Sequence, residues 1–160
     1  MHLLVLDSFD GTLVAGRTST NRIVVSRLAD GRVVARHSFP NAVTAVRVQR
    51  SRVAVQTGRA LSVFDLATGR SRRFQLAYDA GAPRLMSLQG GLVSYVAGPE
   101  IHLLRLADGR DVTLRIPQAA EPVGAEFVSS GFYYSYNLPH VREPGRVSFI
   151  SRTELEHVLR

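Results

Sequence analysis

The side chains that could carry chemistry in this 160-residue chain are few and widely spaced. Near the start, residues 3–16 read LLVLDSFDGTLVAG and place Asp7 and Asp10 with two residues between them. In an extended strand that spacing sends the two carboxylates to opposite faces. The five histidines, His2, His37, His102, His140 and His157, form no His-x-His pair and no His-Glu-x-x-His helix. His140 and Glu143 share a loop with Pro139 and Pro144, but two donors leave a metal's coordination shell unfilled. His102 reads as a surface or groove histidine. Cysteine is absent, which removes disulfides, thiolate zinc sites, iron–sulfur clusters and cysteine nucleophiles. No Gly-x-Ser-x-Gly elbow or phosphate-binding glycine loop is present. The expectation is a chain without catalytic residues, metal site or cofactor, and so not an enzyme.

Residues suited to binding are easier to find. Phe132-Tyr133-Tyr134-Ser135-Tyr136 is the densest aromatic run, and as a strand it sends Tyr133 to one face and Phe132, Tyr134 and Tyr136 to the other. The segment Asn137–Gly145 that follows carries His140 and Arg142 and is longer than the other connections within units, which makes it the best candidate recognition loop. All 20 basic side chains are arginine, against 13 acidic ones, for a net charge of +7. Such a balance opens the case for a polyanion partner. The arginines are nevertheless spread along the chain, apart from Arg70, Arg72 and Arg73, with Arg47, Arg50 and Arg52 some twenty residues earlier. A charged outer edge strand accounts for Arg70, Arg72 and Arg73, and only Phe74 stands near them to stack on a base. Nucleic acid is therefore not the expected partner.

The elements that position these residues come from a repeat. Residues 23–32 read IVVSRLADGR, 61–70 LSVFDLATGR and 101–110 IHLLRLADGR, with Gly31, Gly69 and Gly109 separated by 38 and 40 residues. Apolar residues alternate through each copy, as in a half-buried strand, and Asp-Gly or Thr-Gly then supplies the positive φ of a tight hairpin. Adding the runs before and after each copy gives four short antiparallel strands in about 40 residues, the content of one propeller blade. The units run 1–39, 43–77, 83–117 and 123–151. In the fourth, no turn follows the third strand. Instead Ser151-Arg152-Thr153-Glu154 has capping-box spacing, with Ile150 and Leu155 placed as a hydrophobic staple, predicting a helix over 152–159.

These repeats resemble those of WD-type, YVTN-type and quinoprotein-type β-propellers. LSVFDLATGR is similar to the third strand and turn of a WD repeat, with Phe64 where that family's tryptophan sits and Asp65 after it. The chain has no tryptophan, so neither the WD dipeptide nor the quinoprotein docking motifs are present. The resemblance implies an all-β propeller segment of about four four-stranded blades, the last incomplete, and a short C-terminal helix. LLVLDSFDGTLVAG also resembles the haloacid-dehalogenase phosphatase motif, whose two aspartates work beside Mg²⁺. Here one residue too many separates them, and the α/β alternation of that fold is missing.

Apolar residues at 45% and charged residues at 21% are the balance of a globular domain, and no apolar run is long enough to span a bilayer. No secretory signal is visible, which at face value places the chain in the cytoplasm; a truncated N-terminus would leave an extracytoplasmic location open. The expected function is a non-catalytic binding or scaffold module that meets a protein partner, or a second copy, through exposed blade faces. The C-terminal part of a longer propeller is the favoured setting. The alternatives are the non-catalytic half of an extracytoplasmic propeller enzyme and a weak polyanion binder.

Overall fold

The computed structural model describes residues 5–77, 82–142 and 144–160. They form four antiparallel sheets, each a meander in chain order. The first contains β1 (Val5–Phe9), β2 (Leu13–Ser19), β3 (Arg22–Arg27) and β4 (Val33–Ser38). The second contains β5 (Ala45–Gln49), β6 (Arg52–Thr57), β7 (Ala60–Asp65) and β8 (Ser71–Gln75). The third contains β9 (Arg84–Gln89), β10 (Leu92–Ala97), β11 (Glu100–Arg105) and β12 (Asp111–Leu114). The fourth has three strands, β13 (Glu121–Val128), β14 (Gly131–Asn137) and β15 (Gly145–Ser151), followed by helix α1 (Arg152–Val158). The chain divides into two compact units, Met1–Ala77 with the first two sheets and Tyr78–Arg160 with the last two. Among the described residues no helix is long and apolar enough to cross a membrane.

Within each unit the sheets are held face to face by side chains of period two. In the first, Ala15, Ile23 and Val25 pack on Val46, Val48, Val53 and Val55. In the second, Val96, Ile101 and Leu103 meet Ala125, Phe127 and Phe132, with Leu155 and Leu159 of the helical end in the same cluster. Each such aliphatic side chain contributes roughly 1.5–3 kcal/mol when fully buried.

The repeated motif builds one connection three times. The amide of the last strand residue donates to the carbonyl five residues on (Arg27 to Arg32, Asp65 to Arg70, Arg105 to Arg110), each at 2.8 Å. The glycine amide donates back to that same last strand residue at 2.8–2.9 Å. Gly31, Gly69 and Gly109 take φ of 67°, 69° and 81°, the left-handed region that the sequence required. The turn is wider than the tight hairpin expected from Asp-Gly and Thr-Gly, because side chains close it from within. Asp30 and Asp108 accept the Arg32 and Arg110 amides at 3.0 and 3.1 Å, and Asp65 accepts those of Ala67 and Thr68 at 3.0 Å. The Arg105 guanidinium beside Asp108, with the Arg110 amide, holds that carboxyl down to about 2. The leucine after each strand then donates its amide to the neighbouring hairpin: Leu28 to Thr12, Leu66 to Ser51 and Leu106 to Gly91.

In the fourth sheet the same hydrogen bond persists, from the Arg152 amide to the Ser130 carbonyl at 3.0 Å, but a helix begins there. The capping box is formed: the Ser151 hydroxyl accepts the Glu154 amide at 3.3 Å, and Glu154 accepts the Ser151 amide at 2.9 Å. The helix ends at Val158, with Leu159 as its C-cap, one residue short of the expected 159. Ile150 and Leu155 lie in one apolar cluster, as a staple requires.

Two polar groups tune the first unit. Asp10 accepts the amides of Thr12 and Leu13 at 2.9 and 2.8 Å, the Thr12 hydroxyl, and the amide of Arg50 from the β5–β6 turn. Burial alone would raise its pKa, but these donors outweigh it and the net direction is down. His37 stacks on Phe64 with ring centroids 4.0 Å apart and leaves Nε2 without a hydrogen-bond partner; burial pushes its pKa below the ordinary value of 6.5.

Replacing Asp10 by Ala strips an acceptor from these amides and should cost about 1–3 kcal/mol at pH 7, measured by urea unfolding. Because the folded pKa is lowered, that contribution is present above the unfolded value and fades as pH falls through the folded one, so variant and parent should converge in acid. For His37, both states are neutral above about 6.5; below it the unfolded chain binds the proton first, and stability falls. His37→Phe should flatten that decline between pH 7.5 and 5.5 while keeping the stack. In the last sheet a Cβ on Gly131 would lie 2.1 Å from the Ile150 carbonyl oxygen and 2.8 Å from the Phe149 ring. Gly131→Ala should therefore destabilise the second unit by roughly 1–3 kcal/mol in the same assay.

Candidate functional site

The two aspartates that looked most like chemistry are both engaged in structure. Asp7 sits in a bulge of β1, its side chain only 7% exposed, and accepts Arg17 Nε at 3.0 Å. Arg17 in turn donates to the Val43 carbonyl at 3.1 Å. Asp10 has its oxygens filled by the turn donors described above. The two carboxylates are thus turned to different donors, Asp7 to Arg17 and Asp10 to its own hairpin and Arg50.

A polar cluster lies instead around His102 in β11. Sequence reasoning placed this histidine at the surface or in a groove; it is 4% exposed. Its ring lies flat on Tyr95, with centroids 4.6 Å apart and planes at 12°. Nδ1 faces Asp111 Oδ1 at 3.2 Å and Thr113 Oγ1 at 3.5 Å, and Nε2 faces Glu100 Oε2 at 3.4 Å. The Tyr95 hydroxyl donates to the other Asp111 oxygen. Three adjacent strands, β10, β11 and β12, bring these groups together, since Tyr95 pairs with His102 and His102 with Thr113. A catalytic imidazole needs one nitrogen turned to substrate. Here each nitrogen meets a carboxylate, so the cluster ties strands together. The only sequence signal for it was that His102 replaces Val24 and Ser62 of the other copies. Among the described residues no group of three His, Asp or Glu side chains is arranged to hold a metal ion; Glu143, expected beside His140, lies outside them.

The expected binding residues fall into two groups. Arg70, Arg72 and Arg73 are exposed in and beside β8, the outer strand of the second sheet, and the Arg72 guanidinium lies 5.0 Å from the Phe74 ring centre. They belong to the first unit. In the second unit Tyr134 and Tyr136 form a stack with Phe132, at 6.1 and 6.2 Å, on the face turned to the third sheet. Tyr133 points the other way and meets Phe149 at 4.6 Å. His140, at φ 65°, and Arg142 are exposed in the loop after β14, which the Leu138 amide closes on the Pro144 carbonyl at 2.8 Å. The second unit also holds a groove of about 520 Å³ between Arg84, Val96, Pro99 and Glu121.

Sequence reasoning expected exposed blade faces without naming the residues on them. Call forward the face that the first sheet turns to the second and the third to the fourth; the opposite face is the rear. On the forward face of the fourth sheet Tyr133, Val147 and Phe149 are exposed by 42%, 73% and 44%. Their side chains project from cross-strand positions, Tyr133 opposite Phe149 and Ser135 opposite Val147. They form one apolar patch, and among the described residues Glu126, opposite Tyr133, is the charged side chain on it.

No family model matches the chain, and no curated protein matches it. Solved structures do. The computationally designed Ika4 protein is 16% identical, with a TM-score of 0.63 over 94% of each chain. The designed Ika8 protein is also 16% identical, with a TM-score of 0.64 over 94% of this chain but 48% of its own. The tricorn protease is 20% identical, with a TM-score of 0.64 over 90% of this chain and 15% of its own. The chain thus spans the length of one neighbour, half of another and a small part of the third. At such identities the likeness concerns architecture, and with four antiparallel meander sheets it makes this an all-β, propeller-type chain of four blades, the last incomplete, ending in a short helix.

Proposed function

We propose that the chain is a non-catalytic β-propeller binding or scaffold module that works through protein–protein contacts on the faces of its end sheets. The observation that supports this reading is the apolar forward face of the fourth sheet, where Tyr133, Val147 and Phe149 stand exposed together. Scattered apolar side chains on a surface mean little; a contiguous set on one sheet face marks an interaction site. Tyrosine and phenylalanine bring large rigid contact area at low conformational cost, which suits them to anchor an interface. The loop with His140 and Arg142 borders the same sheet and supplies a polar rim.

The His102 cluster fits this reading as a strut. Asp111→Asn removes one charge from between Tyr95 and His102 and should lower the stability of the second unit by roughly 1–3 kcal/mol, read by urea unfolding. For the function itself, a photo-crosslinking residue at Tyr133 should yield a covalent adduct with a protein, identified by mass spectrometry. Val147→Glu in the same chain should abolish it. Absence of an adduct with any protein, the chain itself included, overturns the reading.

A further inference from the structure

Equivalent positions in the four sheets locate what the end faces lack. On the forward side, the third strand of each sheet offers Ile23, Leu61, Ile101 and Val147 at one position and Val25, Val63, Leu103 and Phe149 at another, matched through their cross-strand partners. In the first three sheets these side chains are at most 8% exposed; Val147 and Phe149 are 73% and 44% exposed. On the rear side, the first strand offers Phe9, Val48, Leu88 and Phe127, and Leu6, Val46, Leu85 and Ala125. In the last three sheets these are again at most 8% exposed, while Leu6 and Phe9 are 63% and 56% exposed. One face is therefore built to receive a following sheet and the other to receive a preceding one.

We infer that a second copy of this chain is the partner: the rear face of its first sheet covers the forward face of the fourth sheet, head to tail. The inference rests on the binding-module reading above and names its partner. Charge supports the match. The rear face of the first sheet carries Arg22 and Arg36 around Val24 and, among the described residues, no carboxylate. Among the described residues, the forward face of the fourth carries Glu126 and no arginine. Two like copies of either face would set like charges against each other, whereas the head-to-tail pairing sets opposite ones together. The four strands of the first sheet at about 4.8 Å, each some six residues long, give a face of roughly 400 Å², and the three of the fourth roughly 300 Å², so one contact covers about 700 Å², the scale of a reversible association. The contact is heterologous, since each copy uses two different surfaces.

The test is the solution mass of the full chain by light scattering and native mass spectrometry, with unfolding curves to confirm that variants remain folded. The parent is expected at twice its 17.6 kDa or a higher multiple. Leu6→Glu and Val147→Glu, each at an exposed position, should each raise the dissociation constant at least tenfold and give monomers on their own. Mixed one to one, the two variants should recover a dimer, because each retains the face that the other has lost. A monomeric parent overturns the inference, as does a parent dimer indifferent to both changes, or one sensitive to only one of them. A monomer that still forms a Tyr133 photo-adduct with another protein removes the second copy as partner and leaves the binding module intact; failure of both experiments removes each.

Discussion

A short twisted sheet with apolar side chains on both faces is not stable in water until both faces are covered, and this constraint organises the whole chain. Each strand alternates, but both sets of alternate residues are apolar: Val53 and Val55 to the rear, Ala54 to the front, all fully buried. At roughly 25 cal/mol per Å² of apolar surface removed from water, stacking is the dominant favourable term. Hydrogen bonding within a sheet is saturated by the meander, so only the stacking direction remains to be satisfied.

Polar side chains serve that stacking. Asp10 reaches from the first hairpin to the Arg50 amide of the next sheet, and Asp7 steadies Arg17 against the Val43 carbonyl. The leucine that follows each third strand feeds its amide to the neighbouring hairpin in three sheets, and Arg152 does so in the fourth. A carboxylate surrounded by amide donors is held ionised, and its lone pairs are spent on the backbone. Asp10, in the segment that resembles a phosphatase motif, is used in this way. The same holds for His102, whose two nitrogens are both turned to carboxylates.

The fourth sheet shows how a repeat is terminated. A capping box replaces the turn, so the chain leaves the sheet as a helix whose Leu155 and Leu159 fill space beside Phe132. β15 is left as the outer strand. Exposed apolar residues on its forward side, beside Tyr133, are a liability for aggregation if uncovered.

Much was legible from residues alone, because much is local. The glycines at 38- and 40-residue spacing, the alternation of each strand, the capping box at Ser151 and Glu154 and the opposite faces of Tyr133 and Tyr134 depend on neighbours a few positions away. Those features appear where the chain's own periodicity puts them. Turn width was misjudged, since Asp30 and Asp108 accept amides across a longer loop than Asp-Gly implies. The burial of His102, the bond from Asp10 to a residue forty positions on, and the contrast between buried Leu103 and exposed Phe149 lay beyond the sequence. Identical alternation precedes both of the latter residues, and only the presence or absence of a following sheet separates them. Periodicity states which side of a strand a residue takes; what lies on that side is decided by tertiary packing, because the free energy of an apolar face depends on what covers it.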